Sequence, residues 1–125
     1  MLYSLNLSFD RPNIHDRPDF IAQAQIQSLV EAQSPDEAVD KIAQKLEQLH
    51  ERKDEILNGV HKVYLDSILE VRSGLDEGLF LLASCFESDE DEIYSFATVM
   101  ASDEHVQAYC YGDEGKEILP LLSWD

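Results

Sequence analysis

Apolar and polar residues alternate in two stretches near the start of the chain, the pattern of strands with one covered face. In the first stretch, residues 2–9, Ser and Asn separate Tyr3, Leu5, Leu7 and Phe9. In the second, residues 20–33, glutamines separate small and branched apolar residues until Leu29 falls on the glutamine side. The pattern therefore predicts strands over 2–9 and 20–33, with a bulge or two covered faces near Leu29.

At Ser34 the spacing of apolar residues changes from every second residue to a period of about 3.6 residues, which predicts the start of a helix. Ser34 suits the N-cap position, and Pro35 lies where its missing N–H is not needed. Glu37 stands where it completes a capping box. An apolar stripe follows, formed by Val39, Ile42, Ala43, Leu46 and Leu49. We expect this stripe to pack on the sheet, and Asn58-Gly59 to end the helical region at the latest.

Four further strands are predicted after the helix. Residues 60–72 place Val63, Leu65, Leu69 and Val71 on one face, with Ile68 as an exception. Residues 79–86 are almost wholly apolar, as in a central strand. Residues 93–101 fit a strand or a helix. We favour a strand that forms a hairpin with the next one, residues 106–111.

These elements predict a single α+β domain over residues 1–125. Its antiparallel sheet has about six strands, in the chain order β-β-α-β-β-β-β, and one main helix packs on one face. The apolar tail formed by Ile118, Leu119, Leu121, Leu122 and Trp124 is too short for a stable helix, so we expect it to dock on the domain or on a partner.

Charge is the unusual feature of the composition: 26 acidic residues against 9 Lys and Arg give a formal net charge of -17. Residues 1–72 hold 13 acids and 8 bases, whereas residues 73–125 hold 13 acids and one base, Lys116. Nucleic acids and anionic membranes bind Lys and Arg, so neither is an expected partner. With no signal sequence and no long apolar run, the expected location is the cytoplasm.

Candidate chemistry is sparse. The sequence has no nucleophile elbow, phosphate loop, dinucleotide fingerprint or zinc-protease motif. The four histidines are scattered, and the acidic run at 89–92 lacks the spacing of a calcium loop. Cys85 and Cys110 lie in apolar segments, where we expect buried, reduced thiols. We therefore predict no catalytic residues, no metal site and no cofactor.

The acidic C-terminal third also contains aromatic residues, a combination typical of a surface that binds a basic protein. The leading hypothesis is a non-catalytic protein that occludes such a partner, most concretely an immunity or antitoxin-like inhibitor of a nuclease-type toxin. In size and charge the chain is similar to bacterial toxin-immunity proteins, although no motif carries the likeness. The predicted contact residues are Glu87, Asp89, Glu90, Asp91, Glu92, Tyr94, Asp103, Glu104, Tyr109 and Tyr111.

Two alternatives remain open. The first is an accessory or ligand-binding domain that forms a homodimer through sheet edges and the apolar tail, with the charge serving solubility alone. The second is a small enzyme whose site has no linear signature. A deep pocket that contains a carboxylate and His61 or His105 would favour the enzyme.

Overall fold

The computed structural model describes residues 1–12, 21–88, 93–100, 104–109 and 119–124. Its elements, in chain order, are strands β1 (Leu2–Pro12) and β2 (Ile21–Glu31), helix α1 (Pro35–Glu51), a 3₁₀ helix (Glu55–Leu57), and strands β3 (Lys62–Val71), β4 (Leu82–Ser88), β5 (Ile93–Met100), β6 (Val106–Tyr109) and β7 (Leu122–Ser123). The predicted α+β class, with an antiparallel sheet and one main helix, is confirmed.

The main sheet has five strands. Its order is β2-β1-β3-β6, and β7 pairs with the start of β3. All of its pairings are antiparallel. β4 and β5 form a second, two-stranded antiparallel sheet. Among the described strands, β6 pairs with β3 and β5 pairs with β4, so the predicted hairpin between β5 and β6 is not observed there.

Helix α1 begins as the sequence predicts. Ser34 is the N-cap, and its Oγ accepts a hydrogen bond of 3.2 Å from the Glu37 N–H. The Glu37 carboxylate accepts from the N–H of Gln33, 3.4 Å away, and not from the Ser34 N–H that the predicted capping box would use. Ala38, Val39, Ile42 and Leu46 are buried along the predicted stripe. Within the described ranges, no helix is long and apolar enough to cross a membrane.

The core lies between α1 and one face of the main sheet. β1 contributes the predicted row of Tyr3, Leu5, Leu7 and Phe9, all buried. The row meets the apolar stripe of α1, and β3 adds Val63 and Ile68 to the same cluster. Burial of a large apolar side chain contributes about 1.5–3 kcal/mol, so this layer supplies much of the stability.

The phase change at Leu29 predicts a bulge in β2, but the structure has its bulge in β3. β2 pairs with β1 in continuous register, and Leu29 is exposed. Against β3, Asn6 pairs with Ser67 and Leu7 with Leu65, so Asp66 is the extra residue. The bulge explains the exceptional position of Ile68, because it shifts the phase of the strand. Val63 and Ile68 face the helix, and Leu69 and Val71 are buried outside that cluster.

The polar side chains at the bulge pair across the two strands. Asn6 Nδ2 donates to Ser67 Oγ at 2.8 Å, and Ser8 Oγ donates to Asp66 Oδ1 at 2.9 Å. Partial burial raises the pKa of Asp66, and the hydrogen bond from Ser8 opposes that rise. The hydroxyl of Ser8 thus stabilises the carboxylate that the bulge introduces.

The segment 93–100 is a strand, as favoured by the sequence, but the apolar run at 79–86 does not form a central strand. Among the strands that the structure describes, β4 pairs only with β5. The side chains of Ala83, Ser84 and Cys85 are exposed in succession, so both faces of β4 meet solvent there. The expectation that Cys85 is buried is wrong, because the thiol is exposed. Cys110 lies outside the described residues.

The apolar tail docks on the domain. Trp124 stacks on His50 with ring centroids 4.1 Å apart, and its Nε1 donates to Glu47 on the same helix at 3.3 Å. The Trp124 backbone N–H donates to the His61 carbonyl at 2.7 Å. Together with the β7–β3 pairing, these contacts connect the tail to both layers.

Replacing Ser34 with Ala is expected to lower the free energy of unfolding by about 1 kcal/mol, because the Glu37 N–H loses its acceptor. Urea unfolding followed by circular dichroism measures the change. Ser34→Asp is the matched control, because it keeps an N-cap acceptor and should stay within about 0.5 kcal/mol of the parent chain. Equal losses in both variants would contradict the capping role.

Candidate interaction surface

The structure describes only part of the predicted contact surface. Asp89 to Glu92, Asp103 and Tyr111 lie outside the described residues. The backbones of Glu87 and Tyr94 are placed in β4 and β5. Glu104 is exposed next to the start of β6, and Tyr109 is half-buried at its end. In the sequence, the four acids at 89–92 stand between β4 and β5.

A loop of residues 73–81, here called the 73–81 loop, lies between β3 and β4. Its start is bound to the chain just before β6: the Arg72 N–H donates to the His105 carbonyl at 2.7 Å, and Ser73 Oγ is hydrogen-bonded to His105 Nδ1. The N–H groups of Glu77 and Gly78 both donate to the Gly74 carbonyl, at 3.1 and 3.0 Å. These bonds give the first half of the loop a defined conformation.

Gly74 is required at this turn for two reasons. Its φ is +86°, a conformation that residues with a Cβ rarely adopt. A Cβ there would also lie 3.0 Å from His105 Cγ and 3.0 Å from Leu79 Cδ2. Glycine thus permits the close approach of the loop and the histidine ring.

The 73–81 loop presents large apolar side chains to solvent beside two carboxylates. Phe80 is 88% exposed and Leu75 is 66% exposed. Asp76 and Glu77, between them in sequence, are also exposed. The chain has no Lys or Arg between Arg72 and Lys116. The loop therefore combines solvent-exposed anchors with acids that no basic residue of the same segment neutralises.

Sequence reasoning missed Phe80 and Leu75 as surface residues. The run from Leu79 to Phe86 reads as a strand that starts at its first apolar residue, whereas β4 begins only at Leu82. The available signal was the run of turn-forming residues from Ser73 to Gly78 directly before it. In the structure both glycines of that run have positive φ. A loop that continues past Gly78 leaves Phe80 unpaired and exposed.

The hydroxyl of Tyr109, by contrast, is hydrogen-bonded within the fold. It donates a hydrogen bond of 2.6 Å to Oε2 of Glu70, a residue only 5% exposed. Arg72 Nε donates to Oε1 of the same carboxylate at 3.0 Å, and the hydroxyl of buried Tyr3 lies 3.5 Å from Oε2. The Glu70 cluster, defined by these four residues, joins β1, β3 and β6.

Hydrogen bonds within the Glu70 cluster favour the ionised form of the Glu70 carboxylate. The hydrogen bond from Tyr109 lowers the pKa of Glu70, and Arg72 adds to that effect, although burial opposes it. Burial and the nearby Glu70 carboxylate raise the pKa of Tyr3. The Glu70 carboxylate is only 5% exposed and accepts hydrogen bonds from Tyr109, Arg72 and Tyr3, so the cluster is best explained as a structural tie between strands.

The features that would favour an enzyme are weak in the described part of the chain. His105 contacts Ser73 and lies 3.8 Å from Glu104, but Ser73 and Glu104 are exposed to solvent. His61 Nδ1 lies 3.3 Å from the Trp124 carbonyl oxygen. An open depression on α1 is lined by Asp40, Ala43, Gln44, Glu47 and Gln48, and neither His61 nor His105 is among its lining residues.

Metal binding has no support among these residues either. Within the described ranges, no group of three or more His, Cys, Asp or Glu side chains is arranged to hold a metal ion.

Comparison with known proteins gives no family for this chain. No protein-family model matches it. No curated protein and no solved structure matches it.

Replacing Glu70 with Gln is expected to lower the free energy of unfolding at pH 7 by about 1–2 kcal/mol, because hydrogen bonds to a charged acceptor become neutral ones. The folded-state pKa of Glu70 lies below the usual 4.5. Its stabilisation is therefore complete above pH 4.5 and is lost as the pH falls through the folded-state pKa.

Urea unfolding of the parent chain and Glu70→Gln at pH 7 and at about pH 2.5 tests this expectation, since the difference should shrink at the lower pH. Glu77→Gln removes the same charge from an exposed site and should show little difference at either pH. A deficit of Glu70→Gln that is equal at both pH values would contradict the electrostatic role of Glu70.

Proposed function

We propose that this chain is a small acidic protein that binds and occludes a basic protein partner without catalysis. The observation that carries the proposal is the 88% exposure of Phe80 on a loop that also presents Asp76 and Glu77. Large exposed apolar residues rimmed by polar ones are typical of protein-binding sites.

Anchors and charges have separate tasks in this proposal. Phe80 and Leu75 supply affinity, because burial of an exposed ring or branched chain in a partner's pocket removes apolar area from water. The carboxylates speed the encounter and select a basic surface. The hydrogen bonds at Gly74 and His105 support this assignment, because a loop that is already ordered loses less entropy on binding.

The partner class follows from charge. Proteins that bind nucleic acids expose Lys and Arg toward phosphates. A carboxylate surface takes the place of those phosphates and thereby blocks access of the nucleic acid. The most concrete form of the proposal is an immunity or antitoxin-like inhibitor of a nuclease-type toxin. It places the chain in the cytoplasm, where the exposed Cys85 thiol stays reduced.

The proposed contact set joins the 73–81 loop to the acids predicted from the sequence. Tyr109 contributes its half-exposed ring only, because its hydroxyl is bound to Glu70. The set comprises Leu75, Asp76, Glu77 and Phe80, together with Glu87, Asp89, Glu90, Asp91, Glu92, Tyr94, Asp103, Glu104, Tyr109 and Tyr111.

The test is affinity capture on the immobilised chain at low salt, roughly 0.05 M, followed by binding measurements on the purified partner. Phe80→Ser should raise the dissociation constant about tenfold or more, because it removes the principal anchor. Asp76→Lys/Glu77→Lys should mainly slow association. If the partner is a nuclease, one equivalent of the chain should abolish its activity.

Asp40→Lys/Glu51→Lys is the matched control, since it makes the same change in net charge at exposed positions of α1. It should bind almost as well as the parent chain. The proposal fails if no basic protein is captured. It also fails if Phe80→Ser and Asp76→Lys/Glu77→Lys both bind the partner as the parent chain does.

A further inference from the structure

Strand β2 forms one edge of the main sheet and is long for an edge strand. It runs over 11 residues, Ile21–Glu31, and pairs with β1 along its whole length. Among the described strands, none pairs with its other side. At the opposite edge of that sheet, the described part of β6 spans four residues, Val106–Tyr109.

The hydrogen bonds at the end of β2 show which backbone groups face outward. The Ala32 N–H donates to the Met1 carbonyl at 2.9 Å, so the backbone N–H of this even-numbered residue points toward the β1 side. Since bonded positions alternate in an antiparallel ladder, the odd-numbered residues of β2 direct their N–H and C=O groups away from β1. The Glu31 carbonyl is consistent with this outward orientation, because it accepts a hydrogen bond from Lys41 Nζ at 2.8 Å and not from β1. Gln23 to Leu29 form the edge with which no other described strand pairs.

This edge lacks the features that usually prevent strand pairing. Edge strands are commonly protected by lysine, proline, a bulge or short length. Residues 21–30 contain no charged residue and no proline. The register against β1 is continuous, without a bulge. The side chains of Ala24, Ile26 and Val30 are only partly buried, which leaves apolar area along the edge.

We propose that β2 pairs antiparallel with β2 of a second copy of this chain, so that the two main sheets form one continuous sheet. The charge distribution favours a second copy of the chain as the partner of this edge. Two copies with a net charge of -17 repel each other, and the repulsion is weakest along a strand that carries no charge. A basic partner would gain nothing there, because the edge offers no carboxylate between Gln23 and Leu29.

The strand is self-complementary about Ile26. A two-fold axis at Ile26 places Gln25 opposite Gln27 and Gln23 opposite Leu29, so each outward backbone group meets another in register. On the helix side, Ile26 then faces its own copy. This arrangement uses the open edge completely and leaves Glu31, which Lys41 already binds, at its margin. The inference is independent of the proposed function, since the 73–81 loop takes no part in it.

The test is sedimentation of the full chain under reducing conditions across a concentration series. The parent chain should reach twice its mass of 14.2 kDa. Gln25→Glu/Gln27→Glu should raise the dimer dissociation constant about tenfold or more, because two pairs of like charges face each other across the axis. Gln44→Glu/Gln48→Glu, with the same added charge at exposed positions of α1, should dimerise nearly as the parent does.

Charge exchange tests the register without relying on loss of function. An equimolar mixture of Gln25→Glu/Gln27→Glu with Gln25→Lys/Gln27→Lys should form a mixed dimer more readily than either variant forms its own. A parent chain that stays monomeric at high concentration overturns the proposal. So does an unchanged dimer in the Glu variant, equal dissociation of the α1 control, or a mixture that forms no dimer.

Discussion

The packing of β1 beneath α1 is the interaction on which the rest of the structure depends. β1 has a strand along each edge, and its apolar row forms the floor of the core. Residues 2–9 contain no charged side chain, in a chain with 26 acids. This separation is a physical requirement, because self-repulsion of the acids opposes compaction and burial of apolar area has to exceed it. Among the described residues, the acids lie mainly on the surface of α1, in loops and near strand ends. Asp66 lies at the β3 bulge, and the buried Glu70 is hydrogen-bonded to Tyr109 and Arg72.

The burial of one apolar face also explains why the elements in the first half of the chain can be predicted from sequence more easily than those in the second half. Strands β1 and β2 and helix α1 each have one covered face, so their periods of two and 3.6 are clear. The cap at Ser34 is encoded by a local hydrogen bond. The bulge at Asp66 is different, because a period that shifts within a strand looks like a single misplaced residue, here Ile68.

Pairing partners are the least predictable feature. The segments that become β5 and β6 are close in sequence and carry strand patterns, yet β5 pairs with β4 and β6 with β3. The choice depends on contacts between distant residues, such as the hydrogen bond from Tyr109 to Glu70, 39 positions apart. No local pattern reveals such a contact. For the same reason, the sequence did not indicate that the hydroxyl of Tyr109, a predicted contact residue, is hydrogen-bonded to Glu70 inside the fold. It also did not indicate that Phe80 is exposed.

The docked C-terminal tail gives the molecule a built-in optical reporter. Trp124 is the single tryptophan among 125 residues, and it stacks on His50 at the far end of the chain from β1. Its emission therefore monitors the attachment of β7 to the body, separately from the helical signal of α1. Where the two signals diverge during denaturation, the tail detaches as its own local opening before the sheet and helix come apart.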